Sequence, residues 1–477
     1  CFLTEGFHSK RTVSGAYIVK QDMKKGTCDV AIVGAGVIGT STALSLARLG
    51  YSVTILDKNK GPGAGSTSYS SGIVRSFYSI LDSVKLSWEG YQYWKNWEEF
   101  IGSKEAPGGL VKLREPGGVI LRTINSSRFL DKCVPLMRSI GIPVYEWDYQ
   151  TCIANLGKVG WDVSKCYKPL RIDHSDFGLP ISGVQPEGAV FAPNTGYISD
   201  PMLAVQNMKY AAESVRTNGN KNANFLFGRQ VVEINQKNGK VCGVALADGD
   251  YISCNVVLNA AGPYSAQLNN LAFLDSNIND MKFETRPLRQ EVAYCNGPEG
   301  IDMDKDGFIS IDLDTGCYFR PEVGNKLLIG GLEAECDPEE WVDGDIDSNL
   351  NESLTETWTN LVYRAALRFP NLPIPTGKGT QGIVSLYDVT PDWAPIYDKS
   401  SLEGYYMAIG TSGNQFKMAG PVGDLMATII DKCENGHDHD KDPVKYEMKM
   451  SRPGDYIDTG KFSRLRDLNN TSQSVMG

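Results

Sequence analysis

Closely spaced cysteine pairs, an excess of basic charge and long apolar runs are all missing from this sequence. Its eleven cysteines include no C-x-x-C pair, and an odd number scattered over 477 residues does not form a disulfide framework. A net charge of −10 provides no basic surface for nucleic acid. No apolar run approaches the roughly 18 residues that span a bilayer. We therefore expect neither a disulfide-stapled scaffold, nor a nucleic-acid partner, nor a transmembrane segment.

The length of the chain allows two or three domains. Unpaired cysteines are typical of a reducing compartment, so we expect the cytoplasm or an organelle matrix. Residues 1–26 precede the first predicted strand without a periodic apolar pattern, and we interpret them as an N-terminal extension. The first residue is Cys1 rather than Met, which is compatible with processing of a targeting peptide.

Residues 28–57 contain a strand, a glycine turn, a helix, a second strand and a terminal acid in uninterrupted order. Residues 30–33 form an apolar run typical of a buried parallel strand. Gly34 permits a tight turn, Gly36 lets the backbone approach a pyrophosphate, and Gly39 lets the helix pack against the strand. The following helix points its amide end at the phosphates. This unit predicts a dinucleotide site.

Asp57 ends the second strand of this unit, 21 residues after Gly36. A carboxylate at that point accepts hydrogen bonds from a ribose 2′-hydroxyl. A 2′-phosphate would be repelled there, so the sequence disfavours NADP.

The segment that follows, residues 61–75, is rich in glycine and serine and too poor in apolar residues to be a core element. It resembles the G-x-S-x-x-x-x-G loop that lies along the flavin ring in the D-amino-acid oxidase superfamily of FAD-dependent oxidoreductases. Later segments fit the same superfamily and extend the resemblance over about residues 28–432.

These later segments share their order and spacing with the superfamily. They are the G-x-x-D-P turn at 196–201, the hairpin at 231–249, the strand and small-residue turn at 256–265, the P-x-R-x-Q segment at 286–291 and the strand pair at 318–331. The resemblance implies an α/β fold in which a Rossmann-like FAD-binding domain is interleaved with a mainly antiparallel α+β substrate domain. In this superfamily the hairpin contacts the adenine side of FAD.

The same resemblance implies a division of the chain. We expect an FAD-binding domain built from residues 27–110, 190–275 and 380–435, a substrate domain built from residues 111–189 and 276–379, and a C-terminal tail at residues 436–477. FAD should extend across the carboxyl edge of the parallel sheet, and the antiparallel sheet should cover its isoalloxazine ring.

Residues 405–417 have the pattern of a strand, a glycine turn and the start of a helix. They resemble the G-x-S-G-H-G-F-K motif of the branch that includes sarcosine oxidase and dimethylglycine dehydrogenase, with Asn414 and Gln415 where His and Gly are usual. A helix amino end at the flavin pyrimidine ring stabilises the anionic reduced flavin. In that branch a Lys of this motif and an Arg of the glycine–serine loop hold the substrate carboxylate. The matching residues are Lys417 and Arg75, which would form a carboxylate clamp.

The resemblance also implies a set of residues that contact FAD. They are Gly34, Gly36, Gly39, Asp57, Lys58, Ser66, Thr67, Ser71, Gly72, Val232, Ala261, Gly262, Gly382, Gly413, Asn414, Gln415, Phe416 and Lys417. Superfamily members that attach FAD covalently use a His or a Cys at the positions of Tyr69 and Ser385. Because neither residue here is an expected linkage, we expect non-covalent FAD.

No histidine falls in a flavin motif, so the general base is open among Tyr318, Tyr387 and water. Sarcosine oxidases carry an oxygen-activating Lys on the strand over the flavin, and the matching position here is Leu328. Lys326 lies on the same strand face because side chains alternate. The electron acceptor is therefore open between oxygen and another redox protein.

Two segments resemble metal sites, and we expect no metal at either. The His-Asp-His-Asp run at 437–440 lies in a polar stretch, which we interpret as part of a solvated tail. Residues 304–307 begin like a calcium loop but lack the terminal Glu at the required spacing.

Three functions remain open. The first is oxidation of the C–N bond of a secondary, N-methylated or cyclic amino acid, whose partner is a small carboxylate-bearing amine. The second is oxidation of a hydroxy acid or glycerol phosphate, for which additional cations such as Arg289 and Arg320 would be needed. The third is a non-catalytic flavoprotein that serves as an assembly factor, since a fold alone does not secure catalysis.

Overall fold

The computed structural model describes residues 25–273, 278–471 and 473–477. Two large sheets form the framework of the molecule, one with six strands and one with eight. The first is almost entirely parallel and the second almost entirely antiparallel. This arrangement confirms the predicted α/β class, with a Rossmann-like half and an antiparallel half interleaved along the chain.

The six-stranded sheet is the nucleotide sheet. Its strands, in spatial order, are Ala223–Phe227, Val53–Asp57, Val30–Val33, Val256–Asn259, Tyr405–Ile409 and Ile396–Lys399. All neighbours pair in parallel except the last two. The strand order reverses at Val30–Val33, and ligands of such sheets bind outside the carboxyl ends of the strands at that switch point. The glycine turn at residues 34–39 lies there.

Helices cover one face of this sheet, and strands Val231–Lys237 and Lys240–Leu246 with helix Ser265–Ala272 cover the other. The α-helices of the chain are Val37–Arg48, Leu81–Lys95, Trp97–Ile101, Ser127–Ser139, Tyr149–Leu156, Pro201–Ser214, Ser265–Ala272, Met303–Asp306, Ile346–Asn349, Glu356–Arg368 and Ala419–Glu434. The first and last pack closely, since Ser45 Oγ donates to Asp424 at 2.6 Å and a Cβ on Gly423 would lie 2.2 Å from Ser41 Oγ. No helix in the described ranges is long and apolar enough to cross a membrane.

The eight-stranded sheet forms the second half. Its strands, in spatial order, are Gln381–Val389, Arg286–Asn296, Lys326–Gly331, Cys317–Glu322, Ile309–Asp312, Gly118–Arg122, Gly188–Ala192 and Tyr145–Asp148. One face packs its Phe319 and Leu327 with helix Glu356–Arg368. Tyr318 and Leu328, on the opposite face, join the core shared with the nucleotide half. The second face therefore covers the carboxyl edge of the parallel sheet.

Smaller sheets complete the framework. Three strands form one of them, Ile73–Val74, Gly196–Ile198 and Leu113–Arg114; four form another, Lys25–Thr27, Tyr251–Ser253, Lys240–Leu246 and Val231–Lys237; and two hairpins pair Arg216–Thr217 with Asn220–Lys221 and Lys445–Glu447 with Tyr456–Asp458. The first of these sheets carries the glycine–serine loop into the eight-stranded half.

Three predicted domain boundaries differ from the structure. Gln381–Val389 pairs along Arg286–Asn296, from Val389 opposite Arg286 to Gln381 opposite Tyr294, so the eight-stranded sheet continues past residue 380. The boundary at 189 divides strand Gly188–Ala192. Residues 25–26 of the predicted extension lie in a strand, and the rest of that extension is outside the described residues. Strand pairing between distant segments decides these limits, and local sequence does not encode it.

Residues 436–477 are not a solvated tail, as the sequence suggested. Tyr446, Ile457 and Phe462 are buried in the main core. Arg464 donates to Asp280 at 2.6 Å, to Asp440 at 2.7 Å and to Asp398 at 3.2 Å. Of the polar run at 437–440, His439 is buried beside Asp398, and the exposed Asp440 accepts hydrogen bonds from the buried Arg464. Residues 444–466 are therefore an integral layer of the nucleotide half.

Arg466 lies in the C-terminal segment and allows a test of its packing. It forms a bidentate pair with Asp392 at 2.8 and 3.0 Å, and both side chains are almost fully buried. Arg466→Ala should therefore lower the free energy of unfolding by about 3–5 kcal/mol, because it leaves a buried carboxylate unpaired. Thermal denaturation measures the loss. Lys445→Ala, which removes an exposed cation of the same segment, is the matched control. Equal stability of the two variants would mean that the segment does not contribute to the core.

Candidate cofactor and active site

The glycine turn after Val30–Val33 leaves no room for side chains. Gly34 has φ +110°, and a Cβ there would lie 2.2 Å from the Ala260 carbonyl oxygen. A Cβ on Gly39 would lie 2.0 Å from the Gly34 oxygen. Helix Val37–Arg48 has Gly36 as its N-cap, with no side-chain cap. Uncapped amides at such a helix end are a ready anion site, so the turn fits the pyrophosphate of a dinucleotide.

Asp57 lies beside this turn. Its carboxylate accepts hydrogen bonds from the Ala35 and Asn59 amides, each at 2.8 Å. Its own carbonyl accepts from the Arg229 amide at 2.9 Å, which brings the start of hairpin strand Val231–Lys237 to the same edge. A carboxylate oxygen has room for more than one donor. Asp57 can therefore hold a ribose hydroxyl while it fixes the glycine turn.

The predicted residues around this adenosine end differ in what they contact. Ala261 and Gly262 follow strand Val256–Asn259, and the Ala261 amide donates to Asn259 Oδ1 at 3.1 Å. Lys58 Nζ donates to Asp347 at 2.7 Å. Val232 is 42% exposed on the hairpin. The structure brings Ala261 and Gly262 to the glycine turn, while Lys58 is bound to an acid and Val232 contributes only its backbone position.

The glycine–serine loop connects the two halves of the site. Thr67 Oγ1 accepts a hydrogen bond from the Val37 amide at 3.1 Å, and Ser66 Oγ donates to the Leu386 carbonyl at 2.9 Å. Further along, Gly72 lies against the Ile198 carbonyl and Ser71 against the Tyr318 hydroxyl. This loop therefore runs from the helix amino end to the sheet that covers the site.

The C-terminal motif turns sharply beneath the same sheet. Gly413 has φ +68°, and a Cβ there would lie 2.4 Å from the ring of Tyr387. Asp388 accepts from the Gly410 amide at 2.6 Å and so fixes the start of the turn. Burial raises the pKa of Asp388 to about 7, against the opposing effect of that amide. Sequence analysis missed this acid, which no local motif distinguishes.

Asn414, Gln415 and Phe416 are buried in this turn. Gln415 Oε1 accepts from the Tyr397 hydroxyl at 2.9 Å, and Phe416 stacks on Trp94 with centroids 5.1 Å apart. The side chains that replace the usual His and Gly are therefore engaged with the protein core. The helix proper begins at Ala419, after a short 3-10 turn that contains Lys417.

Arg75 and Lys417 meet around the ring of Tyr78. The Arg75 guanidinium carbon lies 4.5 Å and Lys417 Nζ 5.7 Å from the ring centroid. Both side chains are about 95% buried, with 5% and 4% exposed. Arg75 donates to the carbonyls of Phe77 and, at 2.7 Å, Val475. Lys417 donates to the Asn414 carbonyl at 2.7 Å. Two segments 342 residues apart thus deliver two cations to one place.

Burial, followed by repulsion from Arg75, holds the pKa of Lys417 well below its usual range. Neither cation forms a salt bridge with a carboxylate in the part of the chain that the structure describes. An anion placed between them would relieve this repulsion.

Tyr387 lies within electrostatic reach of Arg75, and its hydroxyl is hydrogen-bonded to Tyr318. Burial raises the pKa of Tyr318 to about 12. The pKa of Tyr387 is also raised well above its usual value, chiefly by burial, then by Tyr318 and by Glu333, while Arg75 opposes the shift. Glu333 is a buried acid that the sequence analysis did not single out. Only its position after the carboxyl end of strand Lys326–Gly331 could have suggested it.

Lys326 and Gly382 are not brought to this cluster. Lys326 Nζ donates to Gln381 Oε1 at 3.1 Å, at the opposite end of its strand from Gly330, which packs against Tyr318. Gly382 lies against Trp358 on the face away from the nucleotide half. The structure gives neither a contact with the predicted flavin region.

The contacts of Asp57 lead to a prediction. Asp57→Ala should weaken FAD binding by roughly 1–3 kcal/mol, because a ribose hydroxyl loses its acceptor. Asp57→Asn keeps an acceptor for the Asn59 amide but removes the negative charge. Comparison of the two variants therefore separates the effect of the lost hydrogen bond to the loop from the effect of the lost charge. Fluorescence titration of the apoprotein with FAD measures both variants. Wild-type affinity in Asp57→Ala would remove this residue from the cofactor site.

Known proteins share this architecture. Glycine oxidase of Geobacillus kaustophilus (strain HTA426) is 23% identical over 419 residues, which cover 86% of this chain and 94% of the relative. FAD-dependent oxidoreductase domain-containing protein 1 of Bos taurus is 21% identical over 439 residues, covering 84% and 81%. The crystal structure of L-proline dehydrogenase from P. horikoshii has a TM-score of 0.67 at 20% identity, covering 86% of this chain and 95% of that one.

One protein family matches most of the chain. The model of the family described as FAD dependent oxidoreductase matches residues 29–429, which include the glycine turn, the glycine–serine loop, both cations and both tyrosines. The cradle at Gly34 and Gly39 fits the FAD that this description implies. The chain belongs to the FAD dependent oxidoreductase family.

Proposed function

We propose that this protein oxidises the C–N bond of a secondary, N-methylated or cyclic amino acid, giving an imine that water hydrolyses. The observation that carries the proposal is the pair of buried cations, Arg75 and Lys417, whose donors reach only backbone carbonyls among the described residues. Buried charges are normally paired with an opposite charge. A substrate carboxylate supplies that charge.

The residues divide the work between binding and positioning. Arg75 and Lys417 fix the carboxylate, and the orientation of the substrate follows from two contacts rather than one. Tyr318 and Tyr387, whose hydroxyls are buried, would flank the substrate on the sheet side and exclude water. FAD, when bound, supplies the acceptor for the hydride. The amine must lose its proton before the C–H bond is broken.

The names of the relatives agree with this substrate class. Glycine oxidase, L-proline dehydrogenase and iminodiacetate oxidase are among the proteins similar to this chain, and each name contains a small amino acid or amino dicarboxylate. The match to glycine oxidase spans nearly the whole of both chains. We infer from the joint pattern that an amino acid is oxidised here.

The two alternative cations favour an amino acid over a phosphate. Arg289 is bound to Glu291 at 2.8 Å and Glu340 at 3.0 Å. Arg320 is bound to Glu322 at 2.7 Å and lies over the ring of Tyr197. Both guanidinium groups are therefore neutralised by acids of the same domain. Of these four cations, Arg75 and Lys417 are the two without a carboxylate partner among the described residues.

FAD is held without a covalent bond in this proposal. Tyr69 is 45% exposed at the end of a short helical turn, and Ser385 lies in strand Gln381–Val389. Neither a tyrosine nor a serine is the linking residue expected at these positions.

The substrate clamp gives the main prediction. Anaerobic mixing of the holoenzyme with proline or N-methylglycine should bleach the flavin, while a hydroxy acid and glycerol 3-phosphate should not. Arg75→Met and Lys417→Met should each raise the substrate concentration needed for half-maximal reduction by roughly tenfold or more, since a charge-assisted contact contributes about 1.5–3 kcal/mol. FAD content should be unchanged.

Three results would contradict the proposed function or its substrate clamp. Wild-type reduction in both variants would mean that the substrate is not held by these cations. Bleaching by glycerol 3-phosphate alone would favour the alternative substrate class, and no bleaching by any compound would favour a non-catalytic flavoprotein.

The electron acceptor gives a second prediction. Leu328 is fully buried where the oxidase branch carries its Lys, and Lys326 is bound to Gln381 at 3.1 Å. A cation near the flavin stabilises superoxide as the first electron is transferred, so the reduced enzyme should react slowly with oxygen and faster with an artificial dye. Stopped-flow mixing with air-saturated buffer measures this. Rapid reoxidation that is lost in Lys326→Met would make Lys326 an oxygen site.

A further inference from the structure

Glu333 has an unusual backbone conformation for its residue type. It lies two residues after strand Lys326–Gly331 and has φ +52°, in the left-handed region. A residue with a Cβ is disfavoured in that region, and such residues persist where the surrounding structure holds them. Glycine or asparagine would occupy this position with less strain. A glutamate at this strained position indicates that its side chain has a role.

Only one of the two carboxyl oxygens of Glu333 has a hydrogen-bond partner among the described residues. Oε2 accepts a hydrogen bond from the Val475 amide at 2.8 Å. Oε1 is buried and has no hydrogen-bond partner among the described residues. Buried polar atoms of native proteins nearly always have a partner, so an unpartnered oxygen points to a missing donor.

The charges around Glu333 come from both halves of the molecule. Burial raises its pKa to about 8; the Val475 amide and Arg75 oppose the shift, and Asp337 and Glu339 add to it. Glu333 in turn raises the pKa of Tyr318 and Tyr387. The acid therefore lies within electrostatic reach of one proposed clamp cation and of both tyrosines.

Val475 connects Glu333 to Arg75 through a single residue. Its amide donates to Glu333 Oε2 at 2.8 Å, and its carbonyl accepts from Arg75 at 2.7 Å. A free α-amino acid carries the same two kinds of group, because its N–H donor and its carboxyl acceptor are both attached to one α-carbon. The spacing of Glu333 and Arg75 is thus that of one amino-acid backbone.

We propose that Glu333 and Arg75 are the two ends of one α-amino-acid site, that the substrate takes the place held here by Val475, and that Glu333 binds the substrate ammonium and accepts its proton. The proposal rests on the function proposed above. It adds a catalytic residue to that function and limits the substrates to amino acids with at least one N–H bond.

The proton step is balanced within this pair. The carboxylate of Glu333 takes one proton from the ammonium nitrogen, which leaves a neutral amine with a lone pair and a protonated Glu333. That lone pair would assist loss of a hydride from the adjacent carbon, for which FAD, when bound, would supply the acceptor. Water hydrolyses the resulting imine, and Glu333 returns its proton to solvent.

A cavity lies beside Glu333. Glu333, Ser79, Leu332 and Met476 line a cavity of about 760 Å³ that extends between the eight-stranded sheet and the C-terminal segment. The cavity is large enough for a small amino acid and for the water of hydrolysis.

The test compares wild type, Glu333→Gln and the matched control Glu335→Gln, which alters an exposed acid of the same cavity. Anaerobic flavin reduction by proline and by N-methylglycine is followed from pH 6 to pH 10. Glu333→Gln should be slower by roughly a hundredfold or more near pH 8, in the range of a lost general base. Its deficit relative to wild type should shrink toward pH 10, where a growing fraction of the amine is neutral before it binds.

A binding measurement supplies a second readout. The shift in flavin absorbance of the oxidised holoenzyme is titrated with proline and with trimethylglycine, which has a carboxylate but no N–H. Wild type should bind proline more tightly, and Glu333→Gln should lose that preference. The control variant should keep both the preference and the pH profile.

The outcomes separate the two proposals. If proline reduces wild type and Glu333→Gln equally at pH 8, Glu333 is not the proton acceptor and the proposed oxidation stands. If no amino acid reduces wild type, the proposed function fails and the role of Glu333 fails with it. If Glu333→Gln does not fold, Glu333→Asp is measured instead. A shift in the low-pH side of its pH–rate profile relative to wild type supports the proposal. An unchanged profile overturns it.

Discussion

The burial of two cations around one tyrosine ring is the interaction on which the account of this site depends. Arg75 and Lys417 are removed from water, repel each other and have no carboxylate partner among the described residues. Burial of unpaired charge is costly in free energy. A protein maintains such an arrangement where a ligand supplies the missing charge, and this reasoning leads from the geometry to an anionic substrate.

The rest of the framework brings these two side chains together. Arg75 follows a loop that Thr67 fixes to the first helix and Ser66 to the covering sheet. Lys417 follows a turn that Asp388 fixes from the same sheet. The parallel half supplies the cofactor cradle and the antiparallel half the cover, so the active site exists only where the two are joined.

The sequence predicted those parts of the structure that depend on residues close together in the chain. The strand, glycine turn, helix and acid around Gly34 and Asp57 follow from steric rules within thirty residues, and the structure has them. The convergence of Arg75 and Lys417 came from family resemblance. Glu333, the packing of the C-terminal segment and the position of strand Gln381–Val389 depend on contacts between residues distant in sequence. Lys326 shared a strand face with the site, but its distance along the strand was not encoded in the alternation.

Carboxylate binding as a function of pH tests the central claim most directly. Burial and Arg75 lower the pKa of Lys417, so its neutral form predominates in the free enzyme above that pKa. A carboxylate binds the protonated form better, and its affinity should therefore fall as pH rises through the pKa of Lys417. Titration of the oxidised holoenzyme with acetate, followed by flavin absorbance, should show this fall in wild type and its absence in Lys417→Met. Acetate binding that is independent of pH in wild type would contradict the clamp.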